Sequence, residues 1–311
     1  MLQELGELYV PFVGWTLLGF LFLRRIPPAI PDTMIRGLYW IGVPVQVLAF
    51  TLRADWRNRL GWVPLIVVVS LLIAWLFAQL VCRLLPVSPD QRGSFLLSAT
   101  IGNTGFVGLA LTPYLLAEEY LAWVVLYSLT HNVIGSYGFG VAIASFYGKS
   151  EHQKKLWDHG REILFTPAIW AFVLGCIWQY APWERGWGAL VTTDLQIIAN
   201  WIPPIAFVLV GMRLQMQEAE NLRVSLPAGV WAAVIKILAL PFALGLMLKF
   251  ANLPKDAVLG MVLEAGMPTA VAGMILADTY RVPQSQIIPL SIAFSSVGLL
   301  FTIPVWLWYF G

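Results

Sequence analysis

The chain is expected to be an all-α polytopic membrane protein, with ten transmembrane helices arranged as two inverted five-helix repeats and with broken, crossing helices 4 and 9. Three observations predict this. Of 311 residues, 59% are hydrophobic and 12% charged, with mean hydropathy +0.75, whereas soluble domains are about a quarter charged. Apolar runs near the length of a bilayer span, about 20 residues, recur along the whole sequence. Two of those runs carry glycine, proline and polar residues near their middles.

The first run, 6–23, follows "MLQELGELYVPFVGW". That start lacks the basic region of a signal peptide, so the run is expected to be a span. Spans follow at 34–52, 62–85, 94–116 and 120–147, then at 165–183, 194–214, 226–250, 256–279 and 284–310. The charged stretch "GKSEHQKKLWDHGREIL" (148–164) divides them five and five. The units are therefore 1–148, a cytoplasmic linker at 149–164, and 165–311.

An even number of spans puts both termini on one side. Loops after the odd-numbered spans hold Arg24, Arg25, Arg36, Arg83, Arg92, Lys149, Lys154, Lys155, Arg161, Arg213, Arg223 and Arg281, twelve in all. The opposite loops hold six: Arg53, Arg57, Arg59, Arg185, Lys249 and Lys255. By the positive-inside rule both termini face outward across the plasma (inner) membrane. Trp62, Trp183, Trp306 and Trp308 sit at span ends, where interfacial anchors belong.

The net charge of +2 gives no case for a nucleic-acid partner. Cys82 and Cys176 lie in apolar runs without disulfide or metal spacing. No GxxxxGK[ST] occurs, which argues against ATP-driven transport, and no cofactor is implied.

The halves echo each other in order. Pro11 and Gly19 match Pro167 and Gly175; Trp40-Ile41 matches Trp201-Ile202; Asn103-Thr104 with Gly108 matches Pro268-Thr269 with Gly273. A five-span unit that is duplicated must cross the second time in the opposite sense. Such inverted repeats build many secondary transporters, with discontinuous helices in corresponding positions and binding near the midplane. Here the fourth span of each half is interrupted, at "TIGNTGF" (100–106) and "EAGMPTAV" (264–271). Pro268 removes a backbone donor, while Gly102 and Gly105 permit unwinding and close approach. Freed backbone groups in hydrocarbon are costly unless protein or a water-filled cavity satisfies them. The breaks are therefore expected to make a polar site whose half-helix N-termini favour an anion.

"GNTGFVGLAL", "EAGMPTAVAGMILADTY" and "PAIWAFVLGCIW" resemble the auxin efflux carrier family, including its bacterial members, and the likeness covers nearly the whole chain. The resemblance implies two inverted five-helix repeats, a scaffold part and a moving transport part, and export of organic anions such as auxin-like or dicarboxylate compounds. It also implies that Asn103 helps to hold the substrate, and bacterial-type relatives make a homodimer reasonable. Pro268 is followed by Thr269 where many relatives carry a second proline.

Other polar residues inside spans have two readings each. Asn103 is either a substrate amide or a hydrogen bond to a neighbouring helix. Thr104 and Thr269 either cap their half-helices or offer hydroxyls to a ligand. Lys236 stands at the eleventh position of a 25-residue span, where a charge costs roughly 2.5–3.5 kcal/mol to insert. Lys236 and Glu264 are either coupling groups, with Glu264 carrying a proton, or an ion pair joining spans 8 and 9. Asn132 and Ser136, one turn apart, form a polar stripe suited to a cavity wall, and His131 is read as a packing residue. Glu118, Glu119, Asp278 and Arg281 are read as solvated caps.

The functional expectation is a secondary transporter of a small organic anion, with the lipid bilayer as its surroundings. A sodium-coupled symporter of the bile-acid type is the alternative, disfavoured because few carboxylates and amides flank the breaks. An enzyme is not expected, since the three histidines, His131, His152 and His159, form no catalytic or metal constellation.

Overall fold

The computed structural model describes residues 11, 13–21, 26–27, 29–56, 60–85, 87–149, 165–180, 185–213, 222–283 and 286–311. Among them the structure is helical, with no strand and one isolated antiparallel bridge, between Gly102 and Thr269. Described helices overlap each of the ten apolar runs, several starting four or more residues before them: α1 (13–21), α2 (29–53), α3 (60–84), α4a (Pro89–Thr100), α4b (104–114), α5 (121–147), α6 (Pro167–Tyr180), α7 (Arg185–Arg213), α8 (222–249), α9a (Lys255–Ala265), α9b (Val271–Tyr280) and α10 (Ile287–Phe310). Among the described residues three segments, Leu60–Leu84, Ser225–Lys249 and Ile287–Phe310, are long and apolar enough to cross a membrane. Residues 150–164, with His152 and His159, lie outside the described residues, as do Arg24, Arg25, Arg57, Arg59 and Trp183.

Helix α3 shows why these sequences fold as they do. Val63, Val67, Ser70, Leu71, Ala74, Ala78 and Cys82 are buried, while Leu65, Leu72, Leu76 and Leu80 point outward with 42–58% exposure. The inward stripe is rich in small residues, which bring backbones together. The outward stripe is leucine, as lipid requires. Phe146, Phe250, Phe301 and Trp308 are more than two-thirds exposed, whereas Lys236 and Glu264 are buried. Apolar outside and charged inside is the pattern of a protein whose solvent is a bilayer. Trp62 and Trp308 face outward as anchors should. Trp306 does not: it is buried in a stack with Phe242 and near Phe310.

The helices form two groups joined by a shared core. In one, α2 lies against α6 and α7, with Leu38 meeting Ile202, Ala206 and Leu209 of α7 in a small core. In the other, α3, α4a, α4b, α5, α8, α9a, α9b and α10 surround the larger cores. Between them Val47 and Phe50 of α2 and Ala171 of α6 pack with Leu109 of α4b and Val125 of α5. Three π-helical stretches of this second group, Thr104–Gly108, His131–Gly140 and Ile235–Ala239, lie around the helix breaks. Such widened turns are rare and concentrate at functional sites.

Candidate functional site

Helix α4a starts with a strong signal: Ser88 and Gln91 form a capping box and Pro89 sits at the first helical position. It stops at Thr100 because Ile101 turns extended (φ −88°, ψ 112°). Asn103 then caps the next half-helix, its Oδ1 accepting from Phe106 N at 3.3 Å. In the other half α9a ends at Ala265, Gly266 caps it, and Ala270 is extended before α9b.

The two breaks close on each other. Asn103 N donates to Pro268 O at 2.7 Å and Ala270 N donates to Ile101 O at 2.9 Å. The Thr269 hydroxyl donates to Ser98 O at 2.8 Å and lies 2.7 Å from Ser291 Oγ, while Thr269 N donates to Ser295 Oγ at 3.0 Å. Backbone groups freed by unwinding thus find partners in the opposite break, which is how irregular backbone survives in hydrocarbon. Thr269 is buried in this joint and neither caps α9b nor reaches open space. Thr269→Val is expected to cost about 1–2 kcal/mol of stability, visible as a lowered thermal midpoint with ligand affinity unchanged.

Gly102 and Gly105 serve by what they lack in volume. No described glycine has positive φ, so the unwinding does not draw on left-handed backbone. A Cβ at Gly102 would stand 2.6 Å from Lys236 Nζ, one at Gly105 would stand 3.1 Å from Asn132 Nδ2, and one at Gly108 would stand 2.6 Å from Glu264 Oε2. Each glycine lets a polar side chain of another helix lie against the broken strand.

Beside the joint, at the seam between the two helix groups, is a cavity of about 400 Å³. One wall comes from α2 and the start of α6, the other from the α4 break, α5 and α9b. Gly102, Asn103, Gly105 and Asn132 line it, as do Ser136, Arg36, Tyr39 and Tyr137. The two tyrosine hydroxyls are 3.1 Å apart, and Asn132 Nδ2 donates to Ser128 O at 2.9 Å. Val271 and Ala272, in the first turn of α9b, also line it, and first-turn amides have no intrahelical acceptor. Among the described lining residues Arg36 is the charged side chain.

Of the residues singled out in the sequence, Gly102, Asn103, Gly105 and Asn132 therefore meet in one space. Thr104, Pro268 and Thr269 stand in the joint behind it. Lys236 and Glu264 are buried and are not among the residues that line the cavity, although Lys236 lies against Gly102. They do not form the expected ion pair: Lys236 Nζ donates to Ala265 O at 2.8 Å instead. Neither oxygen of Glu264 has a hydrogen bond of good geometry, although Thr112 and Lys236 are the polar groups that face it. His131 is buried and stacks on Tyr127 with ring centroids 6.2 Å apart, neither ring nitrogen having a hydrogen bond of good geometry. Glu118 pairs with Arg53.

Sequence reasoning missed Arg36, Tyr39 and Tyr137. Arg36 reads as a loop cation because it stands near a span start. The signal for the tyrosines was available in part: Tyr137 extends the Asn132–Ser136 stripe by one position.

A family model described as membrane transport protein matches residues 40–307. The chain is similar to an uncharacterized transporter, MJ1031, of Methanocaldococcus jannaschii, with 21% identity over 79% of this chain and 77% of that one. It is also similar to an uncharacterized transporter of Methanothermobacter thermautotrophicus, with 22% identity over 88% of this chain and 87% of that one. With broken helices meeting beside a cavity and a family match over most of its length, the chain belongs to the membrane transport protein family, that of the auxin efflux carriers.

Proposed function

We propose that the protein is a secondary carrier that exports a small organic anion, auxin-like or another carboxylate, by alternating access. The substrate sits in the cavity where the α4 and α9 breaks meet. The observation that carries this reading is the composition of the cavity lining: among the described residues its charged side chain is a cation, Arg36, on one wall, with the amides of Asn103 and Asn132 and the N-terminal turn of α9b on the other. Half-helix N-termini and cations attract carboxylates, and the volume suits a small-molecule site.

An inverted repeat of two five-helix halves is supported by how matched residues pack. Asn103 and Pro268, equivalent in the two halves, are hydrogen-bonded to each other. Gly19 of α1 lies against the α7 backbone at Val208, and Gly175 of α6 lies against Thr51 of α2, so each first helix packs on the other half. The matched Trp40 and Trp201 both face outward. A plasma-membrane location with both termini outside is part of the same proposal. Among the described residues that line the cavity there is no carboxylate to serve the sodium-coupled alternative.

The test is thermal stabilisation of detergent-purified protein by indole-3-acetate, benzoate, succinate and malate. At least one is expected to raise the midpoint by about 2 °C or more. Arg36→Gln should raise its Kd several-fold and flatten the salt dependence, because the lost attraction is screened by ions. Failure of every carboxylate to stabilise the protein would count against the anion reading.

A further inference from the structure

The joint between the breaks holds a charge that the binding cavity does not use. Lys236 rises from the π-helical turn of α8, is 1% exposed, and donates to Ala265 O, the last carbonyl of α9a. Its Cε and Nζ lie where a side chain at Gly102 would begin. Glu264, the residue before Ala265, is also buried, its carboxyl oxygens without a hydrogen bond of good geometry. His131 is the other titratable side chain near the ammonium. The end of a half-helix exposes carbonyls and carries partial negative charge. In carriers built on broken helices such ends, with unwound backbone carbonyls, hold the coupling cation.

We infer that the Lys236 ammonium is a tethered cation, occupying the place between the α9a carbonyl end and Glu264 where a free alkali cation would otherwise bind. This rests on the carrier reading and specifies its ion requirement. The chain brings its own positive charge to the joint, so no sodium is needed to compensate Glu264 and the α9a end. A second consequence is sharper. Cutting Lys236 back leaves a space next to a carboxylate and a carbonyl, with Thr112 also facing Glu264. That space is a cation site for which small cations compete.

The test uses the full-length chain in detergent, unfolded thermally in sodium, potassium, methylammonium or choline chloride at one ionic strength. Wild type is expected to unfold at the same temperature in all four. Lys236→Ala should unfold lower in choline, and recover by about 3 °C or more in methylammonium or sodium. Adding Glu264→Ala should abolish that recovery. A sodium-selective gain in wild type would overturn the inference, as would equal responses of Lys236→Ala to all four salts, or recovery that survives loss of Glu264. Should Lys236→Ala fail to fold in every salt, Lys236→Met with Glu264→Gln decides. The neutral pair must be more stable than Lys236→Met alone, since it leaves no uncompensated charge; equal or lower stability overturns the inference. None of these readouts depends on a carboxylate binding in the cavity, so the two proposals fail separately.

Discussion

Replacing Asn103 by alanine is expected to weaken carboxylate binding and transport at least tenfold, which corresponds to about 1.4 kcal/mol. The side chain has two tasks. Its Oδ1 caps α4b through Phe106 N, and its amide stands in the cavity wall. Losing the cap alone costs about 1 kcal/mol of stability and loosens the turn that presents Gly105 to Asn132. Asn103→Asp separates the tasks. Aspartate caps as well as asparagine does, so the fold should persist, but a carboxylate now faces an anionic ligand. Titration of the stabilising carboxylate by calorimetry should therefore find a folded, non-binding protein. Wild-type affinity in Asn103→Asp would place the ligand elsewhere.

The largest loss of stability is expected from Gly108→Val. The first carbon of any side chain there meets Glu264 Oε2 at 2.6 Å, Oε1 at 2.8 Å and Cδ at 3.0 Å. The backbone has little freedom to yield, because Gly108 N is bonded to Asn103 O at 3.0 Å and Asn103 N is bonded to Pro268 O. The carboxylate must move instead, within a buried setting where it already lacks a hydrogen bond of good geometry. Overpacking of this kind costs about 1–3 kcal/mol, and displacing a buried charge adds to that, so the midpoint should fall by about 5 °C or more. Combining Gly108→Val with Glu264→Ala should recover part of the loss, a coupling of about 1 kcal/mol or more. A Gly108→Val protein as stable as wild type would mean that the carboxylate is not held where the structure puts it.

Much of this architecture was legible in the sequence, for a physical reason. Hydrocarbon tolerates so few exceptions that a glycine–amide–glycine or a proline mid-span stands out. The breaks at 101–103 and 266–270 fall where the motifs predict them. Asn132 and Ser136 were read as a stripe on one helix and do line one wall. The partners across helices were not legible. Lys236 and Glu264 look like an ion pair in sequence because opposite charges in adjacent spans have few other options. The α9a carbonyl end, an acceptor that belongs to the backbone, has no letter in the sequence. Arg36 was hidden by position: near a span start, a cavity cation and a solvated one read alike. Trp306 shows the same limit, since tryptophans near span ends are equally suited to an interface and to an aromatic stack.

The paired hydrogen bonds between Asn103 and Pro268 and between Ala270 and Ile101 act as a rivet. Two interrupted rods fastened at their weak points become one stiff piece, and neither can hinge there without breaking both bonds. If cargo is to face first one side and then the other, the rivet must travel with it. Slippage is then left to the seam at the cavity's far wall, which α2 and α6 line.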